Sequence, residues 1–374
     1  MIRLENVTKR FPGQDHPAVN NLNMFIPEGE ICVLVGPSGC GKTTTMKMIN
    51  RLIEPTEGKI YIKGQDTATV DVIKLRLDIG YVIQEIGLFP HLTIAENIAT
   101  VPREKGWPRD LINQRVDELL TLVGLAPEKY RRRKPADLSG GQRQRVGVAR
   151  AMAADPPILL MDEPFGAVDP ITRARLQNEF LEIQAEMRKT IIFVTHDIDE
   201  AIKMGDKIAI MRDGELVQYA PPGELLSSPA DEFVERLLGP NRTIKRLNLI
   251  AVREALRCDL LPAVPGHLSS EEARPLLKGS KLNVLAVVDS RNSLTGFVRG
   301  EQLKNNHAGP VAEIAELSSN VIAAEATLNE ALSLMLGCGS QFVAVVSKKG
   351  EYKGVVTLGS LLELVREDVK EDVA

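Results

Sequence analysis

The sequence predicts an α/β fold in two parts: a large domain with a mixed-sheet core, and a smaller one of tandem β-α-β-β-α units. Three observations predict it. An apolar run, Ile31–Val35, enters a glycine-rich turn and leaves it in a helical pattern. Further short apolar runs at 79–83, 158–162 and 191–195 alternate with helical stretches, as in a sheet buried on both faces. Finally, residues 284–289 recur at 342–347, an offset of 58 that also pairs 296–298 with 354–356 and 272–273 with 330–331.

The chain has 374 residues, 44% hydrophobic and 26% charged, with room for two or three domains. A net charge of −4 argues against nucleic acid as the main partner. Cys32, Cys40, Cys258 and Cys338 show neither pairing nor metal spacing, which suits a reducing compartment. The first residues lack the apolar core of a secretion signal, and no run of about 18 apolar residues occurs. Any membrane-spanning part is therefore expected from a partner.

Residues 1–30 read as strands of an antiparallel sheet. Ile2 and Leu4, then Leu22, Met24 and Ile26, alternate with polar neighbours. Phe11 falls in the loop between them, where an aromatic can stack on a base or cap the sheet. GPSGCGKT at 36–43 is G-x-x-x-x-G-K-[ST], preceded by a strand and followed by a helix. Its glycines let backbone N–H groups turn inward around an anion, and the helix starting near Lys42 adds its positive end. Lys42 can reach the β- and γ-phosphates of a nucleotide, and the Thr43 hydroxyl can ligate Mg²⁺. Cys40 contributes chiefly its backbone N–H.

A turn at 55–58 and a strand around Ile60 and Ile62 follow, and then a strand at 79–83 that ends at Gln84. From 90 to 150 the pattern is helical. Leu111, Ile112, Val116, Leu119, Leu120 and Val123 make one apolar face, with Gly124 as the stop. The basic run 131–134 reads as solvated surface. LSGGQ at 138–142 precedes a helix expected over 143–154, so the glycine pair is a second phosphate cradle. The two cradles could close on one nucleotide within a chain or between two chains.

ILLMDE at 158–163 is an apolar strand with two carboxylates at its end. Asp162 can hold Mg²⁺ through its water shell while Glu163 orients or deprotonates an attacking water. His196 ends the strand at 191–195; with Lys42 and Glu163 at the neighbouring strand ends, its position points to function. A hairpin turns at 212–214. The expected domains are 1–240, a linker at 241–256, repeats at 257–314 and 315–368, and a charged tail at 369–374.

On these motifs the chain resembles the ATPase subunits of ABC transporters. GPSGCGKT is similar to Walker A, ILLMDE to Walker B with its catalytic glutamate, and LSGGQ to the ABC signature. The resemblance implies a P-loop NTPase of ABC type, with antiparallel and helical subdomains. It implies that Gly36, Pro37, Ser38, Gly39, Cys40, Gly41, Lys42, Thr43 and Thr44 bind ATP together with Phe11. Gln84, Asp169 and His196 match the Q-loop, D-loop and switch histidine, so Glu163, His196, Gln84 and Lys42 are the implied catalytic set. Thr43, Gln84 and Asp162 are the implied Mg²⁺ ligands. Two such subunits would associate head to tail, with Ser139, Gly140, Gly141 and Gln142 of one completing the ATP site of the other.

MKMINRLIEPTEG (46–58) and DEPFGAVDPITR (162–173) are similar to the branch serving quaternary-amine osmoprotectant uptake: glycine betaine, carnitine, choline or proline betaine. The implied partners are a second ATPase subunit, transmembrane permease subunits and, indirectly, a solute-binding protein. The implied location is the cytoplasmic face of the cell membrane, held by the permease. The C-terminal repeat resembles a CBS pair with a regulatory role. CBS modules often hold adenosine compounds through T-x-x-D; here 357–360 reads TLGS and 299–302 reads RGEQ, without the aspartate. The alternative is a soluble ABC-type ATPase or a nucleotide sensor uncoupled from transport.

Overall fold

A computed structural model describes residues 1–83, 87–166, 168–304, 309–316 and 319–371. The chain divides into two compact units, Met1–Leu225 with Pro229–Leu238, and Leu226–Ser228 with Gly239–Ala374.

The first unit opens with β1 (Ile2–Lys9) and β2 (Val19–Ile26), then β3 (Ile31–Val35), α1 (Lys42–Ile49), β4 (Glu57–Ile62) and β5 (Gln65–Asp66). α2 (Val72–Leu77) and β6 (Ile79–Val82) follow. A helical stretch contains α3 (Ile94–Ile98), α4 (Thr100–Glu104), α5 (Arg109–Leu122), α6 (Pro127–Tyr130) and α7 (Gly140–Met152). The chain then runs through β7 (Ile158–Asp162), α8 (Pro170–Met187), β8 (Thr190–Val194), α9 (Ile198–Met204), β9 (Lys207–Arg212), β10 (Glu215–Ala220), α10 (Pro222–Ser227) and α11 (Glu232–Leu238).

Alternating burial pairs β2, β1, β4 and β5 into an antiparallel sheet, in that order. The wholly buried strands β3, β7 and β8 join a second sheet of order β10-β9-β3-β8-β7-β6, parallel except for the β9–β10 hairpin. One core unites both sheets, because Met46 and Ile49 of α1 pack with Ile2 and Leu4 as well as with Leu34 and Val194. In register, Leu34 pairs with Val194 and Val194 with Asp162. The phosphate loop, Asp162 and the β8 end therefore emerge side by side at the carboxyl ends of three adjacent strands, where ligands of open α/β sheets bind.

On α5, Ile112, Val116, Leu119 and Leu120 are buried, but Leu111 is 45% exposed, so it flanks the stripe instead of belonging to it. Gly124 takes the left-handed φ of 69° after the helix. α7 begins three residues before the expected start, because the Ser139 side chain caps it and draws both glycines into the first turn. It lies close on β6. A Cβ on Gly80 would collide with the Ala151 carbonyl oxygen and come within 2.6 Å of Leu159 Cδ2. Gly80→Ala is expected to lower unfolding stability by about 1–3 kcal/mol in urea titration. An unchanged midpoint would show that this packing gives way easily.

In the second unit, α12 (Arg242–Leu247) and a 3₁₀ turn (Val252–Ala255) precede β11 (Ala263–Pro265), α13 (Ser270–Gly279), β12 (Val284–Val288), β13 (Leu294–Arg299) and α14 (Gly300–Lys304). A second set follows: β14 (Val321–Ala323), α15 (Leu328–Cys338), β15 (Phe342–Val346), β16 (Tyr352–Thr357) and α16 (Leu358–Glu371). Every strand start in the first set recurs 58 residues later, as 263 to 321, 284 to 342 and 294 to 352 show. The capping boxes Ser269/Glu272 and Thr327/Glu330 keep the same spacing. Each set makes a three-stranded sheet, and the two share a core in which Phe297 meets Phe342 edge-on and Tyr352 Oη donates to the Leu261 carbonyl at 2.8 Å.

The segment 241–256, expected as a linker, is a folded part of this unit. Leu247, Val252 and Ala255 are buried against Leu328, Val343 and Val356. Sequence order hid this, since the residues that cover these side chains lie about 80 to 100 positions later. The expected tail at 369–374 begins inside α16, which reaches Glu371; 372–374 lie outside the described residues.

Candidate active site

The phosphate loop is shaped by its contacts with the protein before any ligand arrives. Gly36 (φ 151°) and Gly41 (φ 101°) have no room for a side chain. A Cβ on Gly36 would run into the Met211 carbonyl oxygen, and one on Gly41 would sit 2.5 Å from that of Ala18. Lys42, 8% exposed, folds over the loop, its Nζ donating to the carbonyls of Gly36 at 2.7 Å and Pro37 at 2.9 Å. The Cys40 thiol lies 3.6 Å from the same Nζ; burial raises its pKa, which keeps it protonated. Pro37, Ser38 and Gly39 are exposed on the rim and Thr44 is half-buried. No side chain caps α1, which leaves its first-turn N–H groups for an anion.

Thr43 Oγ1 donates to Asp162 Oδ1 at 3.3 Å. Burial raises the Asp162 pKa, against the lowering effect of the Thr43 hydroxyl. Among the described residues there is no group of three His, Cys, Asp or Glu side chains that could cage a metal. A hydroxyl beside one carboxylate, next to a phosphate cradle, suits Mg²⁺ that arrives with a nucleotide.

The raised pKa has a consequence for the empty protein. Folding is opposed by the ionised form of Asp162, so Asp162→Asn should raise the melting temperature of the nucleotide-free protein at pH 7. With a folded pKa above the unfolded one, the folded state binds the extra proton, and wild type gains stability as pH falls through the folded value. The gap between the two melting curves should narrow on acidification. A variant less stable than wild type at pH 7 would reverse the sign.

Glu163 lies one residue beyond β7 and takes a left-handed φ of 47°. Its N–H donates to the Val194 carbonyl at 3.0 Å, and its own carbonyl accepts from Gly166 N–H at 3.1 Å and from Gln144 Nε2 at 3.2 Å. The side chain is thereby aimed at His196, whose Nδ1 lies 3.1 Å from Glu163 Oε1. With its proton on Nδ1 the imidazole donates to that carboxylate. The His196 side chain is 66% exposed, open to a ligand, while that of Glu163 is 22% exposed.

The remaining residues stand apart from this cluster. Ser139 accepts from Gln142 N–H and Gln142 Oε1 from Ser139 N–H, a closed capping box at the head of α7, with Gly140 and Gly141 half-exposed. Gln142 Nε2 donates to Tyr130 Oη at 3.2 Å. Asp169 caps α8 by accepting from Thr172 N–H, a bond that holds its carboxyl below the usual range. Phe11 carries Lys9 Nζ 5.3 Å from its ring centroid. Gln84 lies outside the described residues. The sequence reading missed Gln144. A polar residue on the face shared by Val148 and Ala151, both buried, was the available signal.

Together, these features define a phosphate-loop nucleoside-triphosphate hydrolase of α/β class. The family model for ABC transporters matches residues 19–166, and that for CBS domains matches 311–367. The chain is 47% identical to the osmoprotectant import ATP-binding protein OsmV of Salmonella typhimurium, across 96% of this chain and 94% of that protein. It is 46% identical to the carnitine transport ATP-binding protein OpuCA of Listeria monocytogenes, across 99% and 93%. Among solved structures, the ATP-binding cassette MJ0796, a dimer in a post-hydrolysis state bound to ADP and Pi, aligns with a TM-score of 0.56 and 37% identity, covering 59% of this chain and 99% of that one. The chain belongs to the ATP-binding subunits of ABC transporters, in the branch of the osmoprotectant importers, and carries a C-terminal CBS domain.

Proposed function

We propose that two copies of this chain close head to tail on two ATP molecules and that their hydrolysis drives uptake of a quaternary-amine osmoprotectant through a membrane permease. The observation that carries it is the Glu163–His196 pair, held at 3.1 Å beside Lys42 and the Thr43–Asp162 contact. Lys42 exchanges its bonds to the Gly36 and Pro37 carbonyls for phosphate oxygens. Glu163 orients or deprotonates the attacking water, and His196, already paired with Glu163, holds the γ-phosphate. Mg²⁺, held by Thr43 and Asp162 with Gln84, would neutralise phosphate charge.

Ser139 is exposed and Gly140, Gly141 and Gln142 are half-exposed at the head of α7, which supports the two-chain arrangement. The dimeric solved cassette is consistent with it. A γ-phosphate gripped by Lys42 of one copy and Ser139 and Gly141 of the other gains charge-assisted bonds of roughly 1.5–3 kcal/mol each, and loses them on cleavage. That difference reopens the dimer.

The solute class rests on relatives named for osmoprotectant, carnitine and glycine betaine/carnitine/choline transport. Among the described residues no helix is long and apolar enough to cross a membrane, so the permease is a separate partner. A solute-binding protein delivers to it from outside. The CBS pair is regulatory. At both repeat ends the position of the ribose-binding aspartate is committed to the backbone: Gln302 Oε1 accepts from Arg299 N–H at 2.7 Å, and Ser360 Oγ from Thr357 N–H at 3.0 Å. Pull-down of the full chain from membranes should recover a multi-spanning protein and lose it when ATPase and permease are expressed separately. Recovery of nucleic acid instead would favour the soluble ATPase.

A further inference from the structure

Gln144 has no part in the chemistry described above, yet its placement is unusual. It is 4% exposed, one turn into α7, on a wall formed with Val148, Phe165, Leu176 and Phe180. Its Oε1 has no hydrogen-bond partner, an uncommon condition for a buried amide. Packing alone does not account for a glutamine here; an apolar side chain of the same length would fill the wall without the orphaned acceptor. What the amide supplies is one bond, from Nε2 to the carbonyl of Glu163.

That bond reaches the most constrained backbone of the site. The Glu163 backbone is bonded to β8 through Val194 and locally through Gly166. The bond from Gln144 comes from the helix that LSGGQ heads. Gln144 and Ser139 sit within five residues of one rigid helix, so a displacement of its N-terminus is transmitted to the Glu163 carbonyl. A small rotation of that peptide swings the carboxylate against His196.

We infer that Gln144 is a positioning residue that ties the signature helix to the Glu163 backbone, so that γ-phosphate bound at the N-terminus of α7 sets the attacking geometry in the other ATP site. This rests on the head-to-tail reading, in which α7 serves one site by its N-terminus and the other by Gln144. Two sites coupled in this way hydrolyse ATP cooperatively, with a Hill coefficient above one.

The test uses full-length protein and Mg·ATP. Gln144→Met keeps the length and removes the donor, while Leu176→Ala thins the same wall without touching Glu163. The expected result for Gln144→Met is a kcat lowered about 10-fold or more, an ATP KM within about 2-fold of wild type, and a Hill coefficient near one. Leu176→Ala should lower the melting temperature with kcat per folded molecule and cooperativity retained. If Gln144→Met matches Leu176→Ala in all three parameters, Gln144 is only a core residue and the inference is overturned. ATP-dependent dimerisation of Glu163→Gln in sedimentation checks the underlying reading separately. A monomer there overturns the inter-site coupling, whereas a dimer with unaltered Gln144→Met kinetics overturns the role of Gln144 alone.

Discussion

Glu163→Gln will bind ATP, stay dimeric and hydrolyse about 10² to 10⁴ times more slowly than wild type. The substitution suits the geometry. The amide keeps the shape of the side chain, and the backbone bonds to Val194, Gly166 and Gln144 do not involve the carboxylate. What changes is the basic oxygen 3.1 Å from His196 Nδ1. Without it the water is neither aligned nor deprotonated, the γ-phosphate stays in place, and the closed dimer has no event to open it. Size-exclusion chromatography with ATP should show the dimer, and a phosphate-release assay the lost turnover. Normal turnover would remove Glu163 from the mechanism and leave His196 in need of another partner.

Lys42→Ala should have the second large effect, at an earlier step. The ammonium is the charged donor buried within the loop, and it also braces two of the loop's carbonyls. Losing two charge-assisted bonds to phosphate, at about 1.5–3 kcal/mol each, weakens ATP binding by about 100-fold or more. In cells, uptake of labelled glycine betaine, carnitine and choline should stop for whichever solute the system carries. Equal uptake of all three with and without the substitution would set aside the osmoprotectant reading. Retained ATP affinity in the purified variant would show instead that the backbone cradle suffices.

These two residues were legible in the sequence because their signals are local. A phosphate loop declares itself within eight residues and the acidic pair within two, and each lies at the end of an apolar strand that periodicity identifies. Strand order and the convergence of Gly36, Asp162 and Thr195 at one sheet edge follow once those strands are adjacent. What escaped depends on distant partners. Leu111 matches the helical stripe but lies at its margin, 45% exposed. Residues 241–256 look like a tether in sequence because the side chains that bury Leu247, Val252 and Ala255 lie in the second repeat. The glycine pair lowers helix propensity at the start of α7, and the capping box of Ser139 and Gln142 overrides it. Gln144 looked like one more polar residue of an amphipathic helix, and its burial is a property of the fold.

The constant offset of 58 residues across the C-terminal unit has a further consequence. Strand starts and helix caps recur at one spacing through both copies. At the matched strand ends, a division of labour between them is written in side chains. The place to read it is the pair of helix entries, where one copy presents Arg299 and Gln302 and the other Thr357 and Ser360. The two halves thus differ in charge at this matched position, where only the first copy carries a cation.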